Sequence, residues 1–176
     1  MSHARTIRPT RSAPDLSGCE VLRAPSSALA RARIAIVAAQ WNADVVDRLL
    51  EGALHALDAH DIDRERITVL RVPGAWELPQ AALGLARERR YAAIVALGCV
   101  IRGETAHFDI IANESARGLM EVALAHHVVV SNGVLACDNE HQALARAGGA
   151  LGNKGEEAAL AALDMIGTLV AARAAR

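Results

Sequence analysis

Aromatic side chains are scarce in this chain: two tryptophans (Trp41, Trp76), one tyrosine (Tyr91) and one phenylalanine (Phe108) among 176 residues. Hydrophobic residues make up 52% of the total, so the core has to be built from Ala, Val, Leu and Ile, which suits thin, closely packed helices. Cysteine is also rare. Cys19, Cys99 and Cys137 stand far apart, with no CxxC or paired Cys/His spacing. That excludes a disulfide framework and predicts reduced thiols in a cytoplasmic protein. No run approaches the ~18 uninterrupted apolar residues of a membrane span. No apolar stretch follows the basic residues near the N-terminus, as a signal peptide requires. A net charge of −1 leaves no basic stripe of the kind nucleic-acid binders carry.

What is present is a βα alternation without internal repeats, in a length that suits one domain. Residues 1–18, rich in Arg, Ser, Thr and Pro, read as a flexible tail, and Glu20 to Ala24 as a short edge strand. Apolar runs at Arg33–Ala39, Ile67–Val72, Ala92–Ile101 and Val128–Ala136 predict four strands, the last interrupted by Ser131, Asn132 and Gly133. Helices are predicted from Ala43 to Ala59 with Asn42 as N-cap, from Glu77 or Leu78 to Arg90, and from about Phe108 to His127. A short helix capped by Asp138, a Gly-rich loop (148–155) and a last helix over about 156–172 complete the chain. Strands alternating with helices specify an α/β fold with a parallel sheet covered on both faces. The last helix is apolar almost all round, so part of its surface is expected to meet another subunit.

In such a sheet the turns after the strands gather at one edge, where α/β proteins place their chemistry. Those turns carry Gln40-Trp41-Asn42, then Pro73-Gly74-Ala75-Trp76-Glu77, then Arg102 to His107, then Cys137-Asp138-Asn139. A lone Trp there usually covers a strand end. Two in adjacent turns of so aromatic-poor a chain favour stacking on a flat heterocycle. Glu77 is either a helix N-terminal acid matched to the macrodipole or an acceptor for ligand hydroxyls. His107 is the one imidazole in a candidate turn and can serve as general acid and base. No second ligand stands at metal spacing from it. Arg146 and Lys154 bracket the Gly-rich loop, either as an anion site or, for Arg146, as a cap on its own helix. Neither that loop nor Gly98–Thr105 is a P-loop: Gly155 follows Lys154 in the first, and Glu104 stands in the lysine position of the second.

Five motifs occur in order: Pro73-Gly74-Ala75-Trp76-Glu77-Leu78-Pro79; Gly98 through Asp109 (GCVIRGETAHFD); Asn113-Glu114; Asn132-Gly133-Val134-Leu135; and Arg146-Ala147-Gly148 through Glu156. Together they closely resemble the 6,7-dimethyl-8-ribityllumazine synthases of riboflavin biosynthesis, over about residues 20–170. The resemblance implies a flavodoxin-like, three-layer αβα sandwich with a four-stranded parallel sheet. It implies a homo-oligomer, a pentamer or an icosahedral shell of pentamers, working without metal or organic cofactor. It also implies a transferase that condenses 5-amino-6-(D-ribitylamino)uracil with 3,4-dihydroxy-2-butanone 4-phosphate.

By position, Trp41 would stack on the pyrimidine, and Ala75, Trp76 and Glu77 would line the ribityl chain. Cys99, Val100 and Ile101 would touch the pyrimidine edge. Glu104 (through its backbone) and Thr105 would hold the phosphate, and His107 would move protons. Asn132, Arg146 and Lys154 would come from a neighbouring subunit, Arg146 to the phosphate and Lys154 near the pyrimidine carbonyl. Trp replaces the more usual Phe at 41 and 76, which keeps the stacking role. Asn132 stands where many members have Phe, and Ala150 where many have Lys. The short Gly148–Lys154 link is the kind found in shell-forming members. A flavin- or lumazine-holding module and a scaffold with a vestigial pocket are the rival readings, and catalysis separates them from an enzyme.

Overall fold

The four apolar runs form one parallel sheet: β1 (Ile34–Ala39), β2 (Ile67–Val72), β3 (Ala93–Ile101) and β4 (Val129–Cys137), in the order β2-β1-β3-β4. The computed structural model describes residues 15–25 and 27–175. Ile34 pairs with Ile67 on one side and Ala93 on the other, and Ala93 pairs with Val129, so the strands start level. Every residue of the central β1 is buried, as expected of a strand covered on both faces.

The helices are α1 (Ala43–Asp58), α2 (Leu78–Arg87), α3 (His107–His126), α4 (Glu140–Ala145) and α5 (Lys154–Ala174). On one face of the sheet Leu49 and Leu57 of α1 and Leu163 and Ile166 of α5 pack on Ile36, Val95 and Leu97. On the other, Leu78 and Ala82 of α2 and Leu119 and Val122 of α3 pack on Val37, Ile94 and Ala96. These are the three expected layers. Because side chains alternate along a strand, each strand feeds both cores.

Several local expectations are corrected. Residues 20–24 are exposed and join no strand: among the described residues they pair with neither edge of the sheet, and a lone strand has nothing to stabilise it. β4 is uninterrupted; Asn132 sits at an exposed position of an edge strand, so its polarity costs nothing there. Asn42 holds the N-cap position of α1 but makes no side-chain capping bond, and Asn139 rather than Asp138 caps α4, accepting from the Gln142 N–H at 2.9 Å. α2 ends at Arg87, ahead of Arg89 in the left-handed region (φ 53°).

The Gly-rich segment folds as a small antiparallel hairpin, β5 (Ala147–Gly149) with β6 (Gly152–Asn153). Gly152 takes φ +79° there, a conformation L side chains disfavour. Asn153 then caps α5 two residues earlier than expected, accepting from the Gly155 and Glu156 N–H groups at 2.9 and 3.2 Å. Much of α5's apolar circumference is taken up by α1 and β4 of the same chain, with Met165 its one exposed large apolar side chain among the described residues. α3 shows more open apolar surface: Ile110, Met120 and Leu124. The tail expected over 1–18 lies outside the described residues up to position 14; residues 15–18 form no helix or strand. No described helix is long and apolar enough to cross a membrane.

Candidate active site

The four turns at the carboxyl ends of the strands are tied to one another by short hydrogen bonds. The Trp41 N–H donates to Pro73 O at 3.0 Å, joining the first turn to the second. The Asn42 side-chain amide donates to Cys99 O at 2.8 Å, joining the first to the end of β3. Asn42 takes a left-handed conformation (φ 58°) there, which asparagine tolerates better than most residues. The Arg102 N–H donates to Cys137 O at 2.9 Å, joining the third turn to the fourth. These bonds hold the loops in register.

Between the turns lies a cleft of about 400 Å³, lined by Trp41, Ala75, Trp76, Glu77, Cys99, Val100, Ile101, Thr105 and His107 among others. Nine of the thirteen positions singled out from the sequence therefore meet in one place. Trp41 is 74% exposed and Trp76 47%, so both indoles present open faces rather than plugging strand ends. Glu77 has a use the sequence did not suggest: its carboxylate Oε2 accepts from the Gly74 N–H at 2.9 Å and closes its own turn. Oε1 accepts no hydrogen bond among the described residues. His107 is the first residue of α3, where unpaired N–H groups and the helix dipole favour an anion beside Thr105. Burial, with Cys137 nearby adding to it, pushes the Cys99 thiol up to about 12, so this wall of the cleft is a neutral thiol at physiological pH.

The remaining four positions are elsewhere. Glu104 is exposed in the third turn and does not line the cleft. Asn132, Arg146 and Lys154 line a second groove, about 560 Å³, between the free edge of β4 and α5. There Arg146 donates to Gln142 O at 2.9 Å, capping its own helix, and Lys154 pairs with Glu157 at 2.6 Å. Asn132 Oδ1 accepts from the Val134 N–H at 3.0 Å. The chain thus carries two separate crevices, one with an imidazole and stacking surfaces, the other with fixed cations. A larger cavity of about 820 Å³ at the opposite end of the sheet is lined by Arg89, His127 and Arg173. These residues lie at or just past helix C-termini, where cations complement the carbonyl ends.

The family model for 6,7-dimethyl-8-ribityllumazine synthase matches residues 31–169, a span that includes every strand and both crevices. The chain belongs to the 6,7-dimethyl-8-ribityllumazine synthase family. It is 52% identical over 148 residues to the enzyme of that name from Stenotrophomonas maltophilia (strain R551-3), covering 84% of this chain and 93% of the relative. Over 135 residues it is also 52% identical to the one from Xanthomonas campestris pv. campestris (strain B100), covering 77% of this chain and 88% of the relative.

The cleft also includes residues to which the sequence assigned no role of their own. Pro73, Gly74, Gly103, Phe108 and Ile111 also line it. Asn42 lines it too and holds Cys99 in place. Behind it, Arg102 reaches Asp109 and Asp138 and lies over the Phe108 ring, 4.0 Å from its centroid. The sequence signal for Arg102 was its place in the polar turn. Its partners depend on the fold.

Proposed function

We propose that this chain condenses 5-amino-6-(D-ribitylamino)uracil with 3,4-dihydroxy-2-butanone 4-phosphate to 6,7-dimethyl-8-ribityllumazine, releasing phosphate and water. The observation that carries this is the single cleft joining Trp41, Trp76, Glu77, Thr105 and His107 at the carboxyl ends of the strands. Trp41 stacks on the pyrimidine, and Cys99, Val100 and Ile101 meet its edge. Ala75, Trp76 and Glu77 follow the ribityl chain, with the free oxygen of Glu77 accepting from its hydroxyls. The Glu104 backbone and Thr105 receive the phosphate at the start of α3. His107 shuttles protons as the amine adds to the ketone, as phosphate leaves and as the ring closes. Much of the rate comes from holding two reactive partners in register.

The departing phosphate needs fixed positive charge, and the cleft's own lining contains neither Arg nor Lys. In this reading Arg146 and Lys154 of an adjacent protomer supply it, Lys154 near the pyrimidine carbonyl and Asn132 through its backbone. The working form is then a homo-oligomer, a pentamer or a shell of pentamers, in the cytoplasm. Open apolar side chains on α3 (Ile110, Met120, Leu124) and the groove along the β4 edge fit a subunit that buries more surface on assembly. The experiment is direct: mix the purified protein with both substrates, follow lumazine fluorescence, and measure particle size by sedimentation. Product formed no faster than without protein, alongside tight ligand binding, would make the chain a binding module. An active monomer would remove the shared site.

A further inference from the structure

The turn that presents Thr105 and His107 is poorly held by its own residues. Ala106, which precedes α3, makes no side-chain capping bond, and the Thr105 hydroxyl meets the His107 N–H only at 3.4 Å. Both ends of this turn are instead gripped by one guanidinium. Nη1 and Nη2 of Arg102 donate to the two carboxylate oxygens of Asp109 at 3.2 Å each, closing a loop across residues 103–108. Nε donates to Asp138 at 3.1 Å, anchoring that loop to the turn after β4. The guanidinium plane lies over Phe108, whose ring lines the cleft beside His107.

We propose that Arg102 is the positioning residue of this site, holding the Gly103–Ala106 turn so that Thr105 and His107 face the phosphate-bearing substrate. The inference rests on the condensation reading given above. Only a planar fork with several donors can bridge two carboxylates in different turns and stack on a ring at once; a lysine ammonium cannot. The Arg102 side chain is 43% exposed and its partners more so. Ion pairs in that setting add little to global stability. A role in positioning therefore separates from a role in folding.

The test uses the full assembled protein with Arg102→Gln, Arg102→Lys and Asp109→Asn, varying each substrate in turn and recording the melting midpoint. For Arg102→Gln, kcat falls about tenfold and KM for the butanone phosphate rises about tenfold, since slight misplacement of reacting groups costs one to two orders of magnitude. KM for the pyrimidine stays within about twofold, because Trp41, Trp76 and Glu77 sit on other turns. Lysine does not rescue, Asp109→Asn gives a weaker version of the same split, and the midpoint holds. Unchanged kinetics in Arg102→Gln would overturn the proposal, as would a loss in which both KM values and the midpoint move together. If Arg102→Gln does not fold, Asp109→Asn decides alone, since it keeps the Asp138 bond and the ring contact. Failure of the underlying reading shows separately, as absence of lumazine formation by the unsubstituted protein.

Discussion

Replacing Gly155 with alanine puts one methyl group where α1 and α5 touch backbone to backbone. A Cβ built at Gly155 falls 1.9 Å from the Leu49 carbonyl oxygen, 2.6 Å from its carbon and 2.8 Å from Leu49 Cα. All three atoms are main chain, so no change of rotamer gives relief. Real Cβ contacts essentially never fall below 3.0 Å, so the helices must part by more than 1 Å. Leu49 is fully buried, so that movement opens the core beneath it. Overpacking of this kind costs about 1–3 kcal/mol and sometimes more. The better helix propensity of alanine returns at most about 1 kcal/mol. We expect a net loss near 2 kcal/mol, which for a domain of this size lowers the melting midpoint by about 4–8 °C. Gly84 of α2 provides the control, because a Cβ there meets nothing within 4 Å. Gly84→Ala should raise the midpoint by about 2–4 °C. Circular dichroism melts at one fixed protein concentration are the assay, since any self-association would make the midpoint concentration-dependent. A Gly155→Ala protein melting at or above the parent, or both variants shifting the same way, would refute the packing argument.

His107→Ala should slow lumazine formation by roughly 10- to 100-fold without abolishing it, at or below the low end for acid–base groups, because positioning and the amine's own reactivity remain. Arg146→Ala should raise KM for the phosphate substrate by about 10- to 100-fold, the worth of a charged hydrogen bond, and leave pyrimidine binding near normal; equal effects on both substrates would refute the assignment. Cys99 gives stability a pH dependence. Its thiol titrates at about 12 in the folded chain but at about 8.5 when unfolded, so between those values only the unfolded state releases the proton. The contribution is complete below pH 8.5 or so and is lost as pH rises, at about 1.4 kcal/mol per pH unit. Urea midpoints from pH 8 to 10.5 should therefore fall more steeply for the parent than for Cys99→Ala, and parallel curves would contradict this. Thiolate-trapping reagents should leave Cys99 unmodified in the native protein at pH 8 and label it in urea.

Element types and the edge carrying the chemistry were legible in the chain because burial imposes its period on the residues themselves. An uninterrupted apolar run such as Ala93–Cys99 suits a strand covered on both faces, and helical spacing in 43–58 shows which side of α1 is inward. Six of the candidate site residues (Trp41, Ala75, Trp76, Glu77, Thr105 and His107) followed from those assignments, because in a parallel sheet whatever succeeds each strand arrives at the same edge, while Cys99, Val100 and Ile101 came from the family resemblance. The partners of individual polar groups were not legible. Asn42 looked like a cap from its neighbours, yet its amide reaches Cys99, 57 positions away; Arg102 looked like one more loop charge, yet it bridges Asp109 and Asp138. A hydrogen bond goes to whatever lies within 3 Å or so in space, and sequence distance does not report that. Glycine at 155 reads as part of a Gly-rich loop but is required by the Leu49 backbone lying against it. The order of residues thus determined the layers, the edge and the cast of reactive groups. Tertiary packing alone decided which groups hold the turns still, and that Arg146 and His107 open onto different crevices of the fold.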